Sequence, residues 1–181
     1  MSDVILIQPK LGYTDSFIFK NTMPSALLSI ARFVDKEYKV KIIDQRTDKN
    51  WKKHLHKELN QNPFCVATTC MTGMPIKYAL EISEFVKNES NIPVIWGGQH
   101  PTTLPEQCLK SKNIDIVVRG EGEITFYELV KALNKNKALK NIKGISYKKN
   151  KKIMHNPGRE FADLNKLPSL PYHLIDIKNY R

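Results

Sequence analysis

Cysteine is scarce in this chain: Cys65, Cys70 and Cys108 are the only three in 181 residues. An odd number at irregular spacing makes no disulfide framework, and no C-x-x-C pair is present for zinc or dithiol chemistry. We read them as free thiols in a reducing compartment. Long apolar runs are also missing, and none approaches the roughly 20 residues that cross a bilayer. Met1-Ser2-Asp3 carries no basic region, and the apolar stretch 4–7 is too short for a signal peptide. A cytoplasmic protein without a membrane span is expected. Acidic residues are few beside basic ones, 18 against 29, which leaves a net charge of +11. The lysines concentrate at 52–53, 135–143 and 148–152 and lack the interleaved aromatics of a single-strand binder. This composition points to a solvated Lys-rich surface rather than to nucleic acid, and it is compatible with an anionic ligand.

Apolar residues make up 41% of the chain, enough for one domain with its own core. Residues 4–7, Val-Ile-Leu-Ile, form a short continuous apolar run that ends at Gln8-Pro9, the mark of a buried strand. Residues 23–34 follow with a helical apolar face and Pro24 in the first turn. The rhythm then repeats. Strands are expected at 38–43, 65–68, 93–96 and 114–118, and helices at 51–59, 76–86, 103–110 and 125–133. Five βα units with continuous apolar strands imply a parallel sheet covered on both faces. The expected fold is α/β: a Rossmann-like, flavodoxin-like doubly wound five-stranded parallel sheet, strand order 2-1-3-4-5. Residues 1–140 hold this unit. Residues 141–181 read as a β-hairpin, 142–148 and 151–154 around Lys149-Asn150, followed by a Pro-containing linker.

In such a sheet ligands bind beyond the carboxyl ends of the strands. Gln8 follows the first strand, with a long loop to Asn21-Thr22. Thr68, Thr69, Cys70, Met71, Thr72 and Gly73 end the third. Gly97, Gly98, Gln99, His100, Pro101 and Thr102 end the fourth. Gly120, Glu121, Gly122 and Glu123 end the fifth. These loops are permissive and contain no catalytic constellation. Gly97 and Gly98 remove two Cβ atoms where a bulky ligand could touch the backbone, although a tight turn explains a Gly-Gly equally well. Helix N-termini beyond the loops favour an anionic group. His100 has no second His, Cys or carboxylate at metal-ligand spacing, so no metal site is assigned to it. His54 and His56 lie on a Lys-rich helix and read as surface, and Trp51 and Trp96 as packing residues.

The segments Pro93-Val94-Ile95-Trp96-Gly97-Gly98-Gln99-His100-Pro101-Thr102 and Val117-Val118-Arg119-Gly120-Glu121-Gly122-Glu123 resemble the cobalamin-binding N-terminal domain of class B radical S-adenosylmethionine enzymes, the group that includes the anaerobic magnesium-protoporphyrin ester cyclase and many methyltransferases. Asp163-Leu164-Asn165-Lys166-Leu167-Pro168-Ser169-Leu170-Pro171 is similar to that family's bridge to its radical domain. The resemblance implies bound cobalamin, its corrin over the strand ends and its nucleotide tail running between sheet and helices past Gly97 and Gly98. The Ser-x-Leu element of wider cobalamin domains corresponds best to Thr69-Cys70-Met71. The Asp-x-His-x-x-Gly element, whose His coordinates cobalt, has no counterpart in Gln8-Pro9-Lys10-Leu11-Gly12, so a base-off form without that imidazole is implied. Met71 or Thr72 is then expected nearest cobalt, with His100 as rival. The C-x-x-x-C-x-x-C site for an iron–sulfur cluster is absent, so the cluster and S-adenosylmethionine belong to a downstream domain, in cis or in trans. The chain is expected to work as the cofactor domain of a methyltransferase or cyclase and not to be catalytic alone. Gly98→Leu is expected to weaken binding in a folded protein.

Rival functions remain. A stand-alone cobalamin carrier or sensor fits the same residues. A phosphorelay receiver needs acidic residues after the first strand, Asp after the third and Lys after the fifth, where Gln8-Pro9, Thr68-Thr69 and Arg119-Gly120 stand. A flavin carrier needs a phosphate-binding first loop, and this one is not Gly-rich.

Overall fold

A computed structural model describes residues 2–13, 15, 22–150 and 152–180. Five parallel strands, β1 (Val4–Gln8), β2 (Val40–Asp44), β3 (Cys65–Thr69), β4 (Val94–Gly97) and β5 (Ile116–Val118), run in the order β2-β1-β3-β4-β5. The expected order is the observed one. Asn21, placed at the end of the first loop in the sequence, lies outside the described residues, as does Lys151 in the hairpin.

Successive side chains of a strand point to opposite faces, and here both faces are covered. Val4, Leu6, Cys65, Ala67, Ile95, Ile116 and Val118 pack against one helical layer. That layer consists of α1 (Ser25–Val34) and α6 (Glu123–Asn134). Ile5, Ile7, Val66, Val94, Trp96 and Val117 face the opposite layer. It holds α2 (Trp51–Leu59), α3 (Pro75–Glu89) and the short helices α4 (Gln99–Thr103) and α5 (Pro105–Leu109). Burial on both faces explains why the strands read as unbroken apolar runs. Trp51 and Trp96 are both buried in the second core, and the Trp96 indole donates to Ser83 Oγ at 2.8 Å.

One local reading is corrected. The helix expected at 103–110 is two helices. Leu104 sits at φ −129°, ψ 56° between them, because a residue before proline is pushed out of the α region, and Pro105 follows. The first of the two begins at Gln99, directly after Gly98 at φ 97°. The expected hairpin is present as β6 (Ile145–Lys149) and β7 (Lys152–His155), and β6 pairs antiparallel with β5 (Val117↔Ser146), which makes a seven-stranded sheet. Asn150 takes the left-handed conformation (φ 50°) that its turn requires.

Residues 156–180 wind back over the α1/α6 layer. Arg159 Nε donates to Thr125 Oγ1 at 2.7 Å, and the Ala162 amide donates to Glu121 Oε2 at 2.8 Å. Leu170, Leu174 and Ile175 pack against the first core. The segment ends on the edge strand, where the Tyr180 hydroxyl donates to Asp44 Oδ2 at 3.0 Å. Among the described residues no helix is long and apolar enough to cross a membrane.

Candidate functional site

The face of the sheet toward α1 and α6 thins at its carboxyl end. There Ala67 and Thr69 of β3 and Gly97 of β4 stand beside Ile95 and Val118, and all five line one space. The helices are small at the same level, with Ser25, Ala26 and Ser29 on α1 and Gly122 before α6. The result is a cavity of about 440 Å³ between sheet and helices, with Phe126 and Leu170 in its wall. A Cβ on Gly97 would find only Val118 within 4 Å, at 3.9 Å, so a Cβ would fit there in ordinary contact.

Gly98 is different. Its φ of +97° is one that L-residues rarely adopt, and a Cβ there would lie 2.8 Å from Thr69 Oγ1 and 3.0 Å from the Cys70 carbonyl. Gly98 is required by its own protein. A leucine at this position would strain the loop before any ligand arrived, so Gly98→Leu cannot serve as the clean binding test expected of it.

A second cavity of about 180 Å³ opens over the ends of β1 and β3, lined by Gln8, Thr22, Met23, Arg46, Thr69 and Met71 among others. Ser25, Ala26 and Thr69 line both cavities, so the two form one surface. Arg46 is tied down there by Asp44 at 2.7 Å, and its Nη2 also donates to the Thr22 carbonyl at 2.9 Å. Burial works against the Arg46 charge, but the hydrogen bond and charge of Asp44 outweigh it and raise the guanidinium pKa.

The structure therefore divides the residues singled out in the sequence. Thr68, Thr69, Gly97, Gly98, Gly120, Glu121 and Gly122 line the larger cavity, and Gln8, Thr22, Thr69 and Met71 the smaller. Cys70, Thr72, Gly73, Gln99, His100 and Thr102 line neither. The Cys70 amide donates to the Gly97 carbonyl at 2.8 Å, the His100 amide to the Cys70 carbonyl at 3.1 Å, and the Gly120 amide to Thr102 Oγ1 at 3.0 Å. The His100 ring is buried, with Nδ1 3.2 Å from Thr72 Oγ1. Burial, with a smaller contribution from nearby Cys108, pushes the Cys70 thiol up to about 12, which leaves it a poor nucleophile.

Sequence reasoning missed the α1 wall and Leu170. Ser25, Ala26, Ser29, Ile30 and Arg32 all line the larger cavity. A signal existed: beside the buried face of Leu27, Leu28, Ala31 and Val34 runs a strip of small residues, Ser25, Ala26 and Ser29, at i, i+1 and i+4. Leu170 carried none, lying far along a segment without periodicity.

The family model for the B12 binding domain matches residues 20–130. The chain belongs to the B12-binding domain family. This B12-binding domain is 36% identical over 162 residues to an uncharacterized methyltransferase of Pyrococcus horikoshii, spanning 87% of the chain but 35% of that protein. It is 33% identical over 92 residues to the anaerobic magnesium-protoporphyrin IX monomethyl ester cyclase of Synechocystis, 50% of this chain and 18% of the cyclase. Among solved structures it resembles the radical S-adenosylmethionine methyltransferase TsrM of Kitasatospora setae, solved with cobalamin and a [4Fe-4S] cluster bound. That likeness has a TM-score of 0.74 at 22% identity, over 94% of this chain and 32% of that one. The cobalamin-dependent S-adenosylmethionine radical enzyme OxsB, solved with aqua-cobalamin and S-adenosylmethionine bound, gives 0.69 at 20% identity, over 89% and 23%. The B12-binding domain thus spans about a third of the first of these relatives.

Proposed function

We propose that this domain binds cobalamin and presents it to a radical S-adenosylmethionine domain, in cis or in trans, as the cofactor domain of a methyltransferase. The carrying observation is the cavity between the sheet and α1/α6, about 440 Å³ and continuous with the strand-end surface. It has the form that a corrin lying over the strand ends, with a nucleotide tail descending beside Gly97, would need. Two features of the chain fit that group. The Cβ-free space at Gly97 is a cradle that a side chain would fill. Arg32, which lines the cavity, keeps a buried Nε without a partner among the described residues.

Bound cobalamin supplies the carbon–cobalt chemistry, and the protein supplies position and exclusion. Gln8, Thr22, Thr69 and Met71 would lie under the ring, while Ser25, Ala26 and Gly97 would flank the tail. Ser25 and Ala26 open α1, which has no acidic residue in its first turn; the Ser25 amide is taken by the Met23 carbonyl, so the Ala26 amide and the Ser25 hydroxyl suit the phosphate of the tail. Helix α6 carries Glu123 in its own first turn and suits an anion less well. No imidazole faces the floor: His100 is held under the loop by Thr72. This favours a base-off cofactor with an open lower face. Residues 141–181 then have two roles, as the bridge toward the radical domain and as part of this domain's own wall through Leu170.

The test is to mix the protein with hydroxocobalamin, desalt, and record the visible spectrum. Corrinoid absorbance near one equivalent per chain is expected. Colourless protein with an intact circular dichroism spectrum would overturn the proposal.

A further inference from the structure

The two stems of the loop from β1 to α1 are held by neighbouring residues at the end of β2. Gln45 Oε1 accepts the Lys10 amide at 3.0 Å, and Arg46 Nη2 donates to the Thr22 carbonyl at 2.9 Å. The second stem belongs to the site. Residues 22–26 all line the smaller cavity, and Ser25 and Ala26 line the larger as well. No side chain caps the start of α1, so the usual device that fixes a helix start is missing. The Arg46 bond holds the stem instead. Arg46 is itself nearly covered, with 4% of its side chain exposed, so its part is to hold the wall. One buried carboxylate fixes its fork. Asp44 Oδ1 accepts from Arg46 N and Nε, both at 2.9 Å, and Oδ2 accepts from Nη2 at 2.7 Å. The other donor to Oδ2 is the Tyr180 hydroxyl at 3.0 Å, which comes from the terminal segment. A bonded line Tyr180–Asp44–Arg46–Thr22 thus runs from that segment to the wall of the smaller cavity.

We propose that Asp44 and Tyr180 are positioning residues for the cobalamin site. By fixing the planar Arg46 fork, which a bidentate carboxylate sets in one orientation, they fix Thr22 and the start of α1. The inference rests on the reading of the domain as cobalamin-binding and deepens it. Neither Asp44 nor Tyr180 lines the two cavities, so both act through Arg46. Coupling of this kind is reciprocal: if Tyr180 strengthens cofactor binding, bound cofactor holds Tyr180 by the same factor. A merely structural bond would add stability and leave affinity alone. His173 supplies the control. Its Nε2 lies 3.0 Å from Asp35 Oδ2 and ties the same segment to the end of α1, but Asp35 lines neither cavity.

The experiment is a spectral titration with hydroxocobalamin of the full chain and of Tyr180→Phe, Asp44→Asn and His173→Ala, with thermal midpoints to report folding. Tyr180→Phe keeps the ring and loses the hydroxyl, and it is expected to bind about fivefold or more weakly. Asp44→Asn is expected to do the same, and His173→Ala to bind as the unaltered chain does. Should Asp44→Asn unfold, Tyr180→Phe alone decides. Hydrogen exchange in residues 172–180 should slow when hydroxocobalamin is added, and Tyr180→Phe should lose that protection. Unaltered affinity in Tyr180→Phe, an equal loss in His173→Ala, or exchange at 172–180 that does not respond to the cofactor would overturn the inference and leave cobalamin binding standing. No binding by the unaltered chain would overturn the reading of the domain, and this inference with it.

Discussion

Gly97 and Gly98 are adjacent and yet make opposite demands on a leucine, which gives the sharpest test of where the nucleotide tail lies. At Gly97 the backbone has no positive φ and the nearest atom to an added Cβ is 3.9 Å away. The isobutyl group enters the cavity. In the free protein it fills space and buries apolar surface, so the thermal midpoint should hold or rise. In the complex the same volume is contested by the tail. Forcing extra carbons into a filled site costs about 1–3 kcal/mol, a loss of roughly five- to more than a hundredfold in affinity. At Gly98 the leucine faces a positive φ and a 2.8 Å approach to Thr69 Oγ1. The conformation alone costs about 1–2 kcal/mol, and the free protein should melt lower. Gly97→Leu and Gly98→Leu are therefore compared by thermal melting and by titration with cobalamin and with cobinamide. The expected pattern for Gly97→Leu is an unchanged melt, weakened cobalamin and unchanged cobinamide. Unchanged cobalamin affinity would remove the tail from this cavity, and an equal loss for cobinamide would show that the leucine disturbs the strand ends instead.

Ser83→Ala removes the partner of the buried Trp96 indole N–H, 2.8 Å away, and should cost about 1–3 kcal/mol in urea unfolding without moving corrinoid affinity. All three cysteines are buried, and burial pushes Cys65 and Cys70 up to about 12. An aromatic disulfide reagent at pH 8 should react slowly with the native protein and promptly with all three thiols in denaturant; fast native reaction would contradict the packing. Burial, then the charge of Asp44, raise the Tyr180 phenol from its ordinary value of 10 to about 12. The folded state holds this proton more tightly than the unfolded chain, so its contribution is complete below pH 10 and disappears as pH rises through about 12. Tyr180→Phe should flatten part of the decline in stability across that window. In the cob(II)alamin form, electron paramagnetic resonance should show no imidazole nitrogen splitting, and a splitting that vanishes in His100→Ala would place the ring at cobalt.

The sheet was legible because burial on both faces writes its strands as unbroken apolar runs: residues 4–7 could hardly be anything else. Thr69 and Gly97 extended two strands one residue further than their apolar runs. The break between α4 and α5 was written in Pro105 and passed over. The place of the hairpin was not legible, since Ile145, Ser146 and Tyr147 alternate no differently when a strand pairs with β5 than when it stands apart. The candidate site was half legible. Loops at strand ends announce themselves by position in a βα repeat, which brought in Gln8, Thr69, Met71 and Gly97. Sequence position did not separate lining from scaffold within one loop: Met71 faces a cavity, while Cys70 beside it is buried and fixed by Gly97. Nor can a void be seen from any one segment. This one arises from Ala67, Gly97, Ser29 and Gly122 meeting from four separate places in the chain.

That origin bears on what the cavity is. A cleft of about 440 Å³ leaves apolar wall such as Ile30 and Leu170 open to water, surface that larger side chains would bury. Larger side chains would fit without strain at some of these positions, as the space at Gly97 shows. At Gly122 there is less room, since a Cβ would lie 3.0 Å from Ile30. The domain thus combines one position where the backbone geometry demands glycine, Gly98, with one where nothing in the protein demands it, Gly97. A small residue that its own fold does not require, in a void its own fold would close more cheaply, is most simply explained by a molecule that is not part of the chain. Leu170 argues the same way. Residues 156–180 are fixed to this layer by Arg159 and Ala162, and Leu170 walls the cavity without filling it.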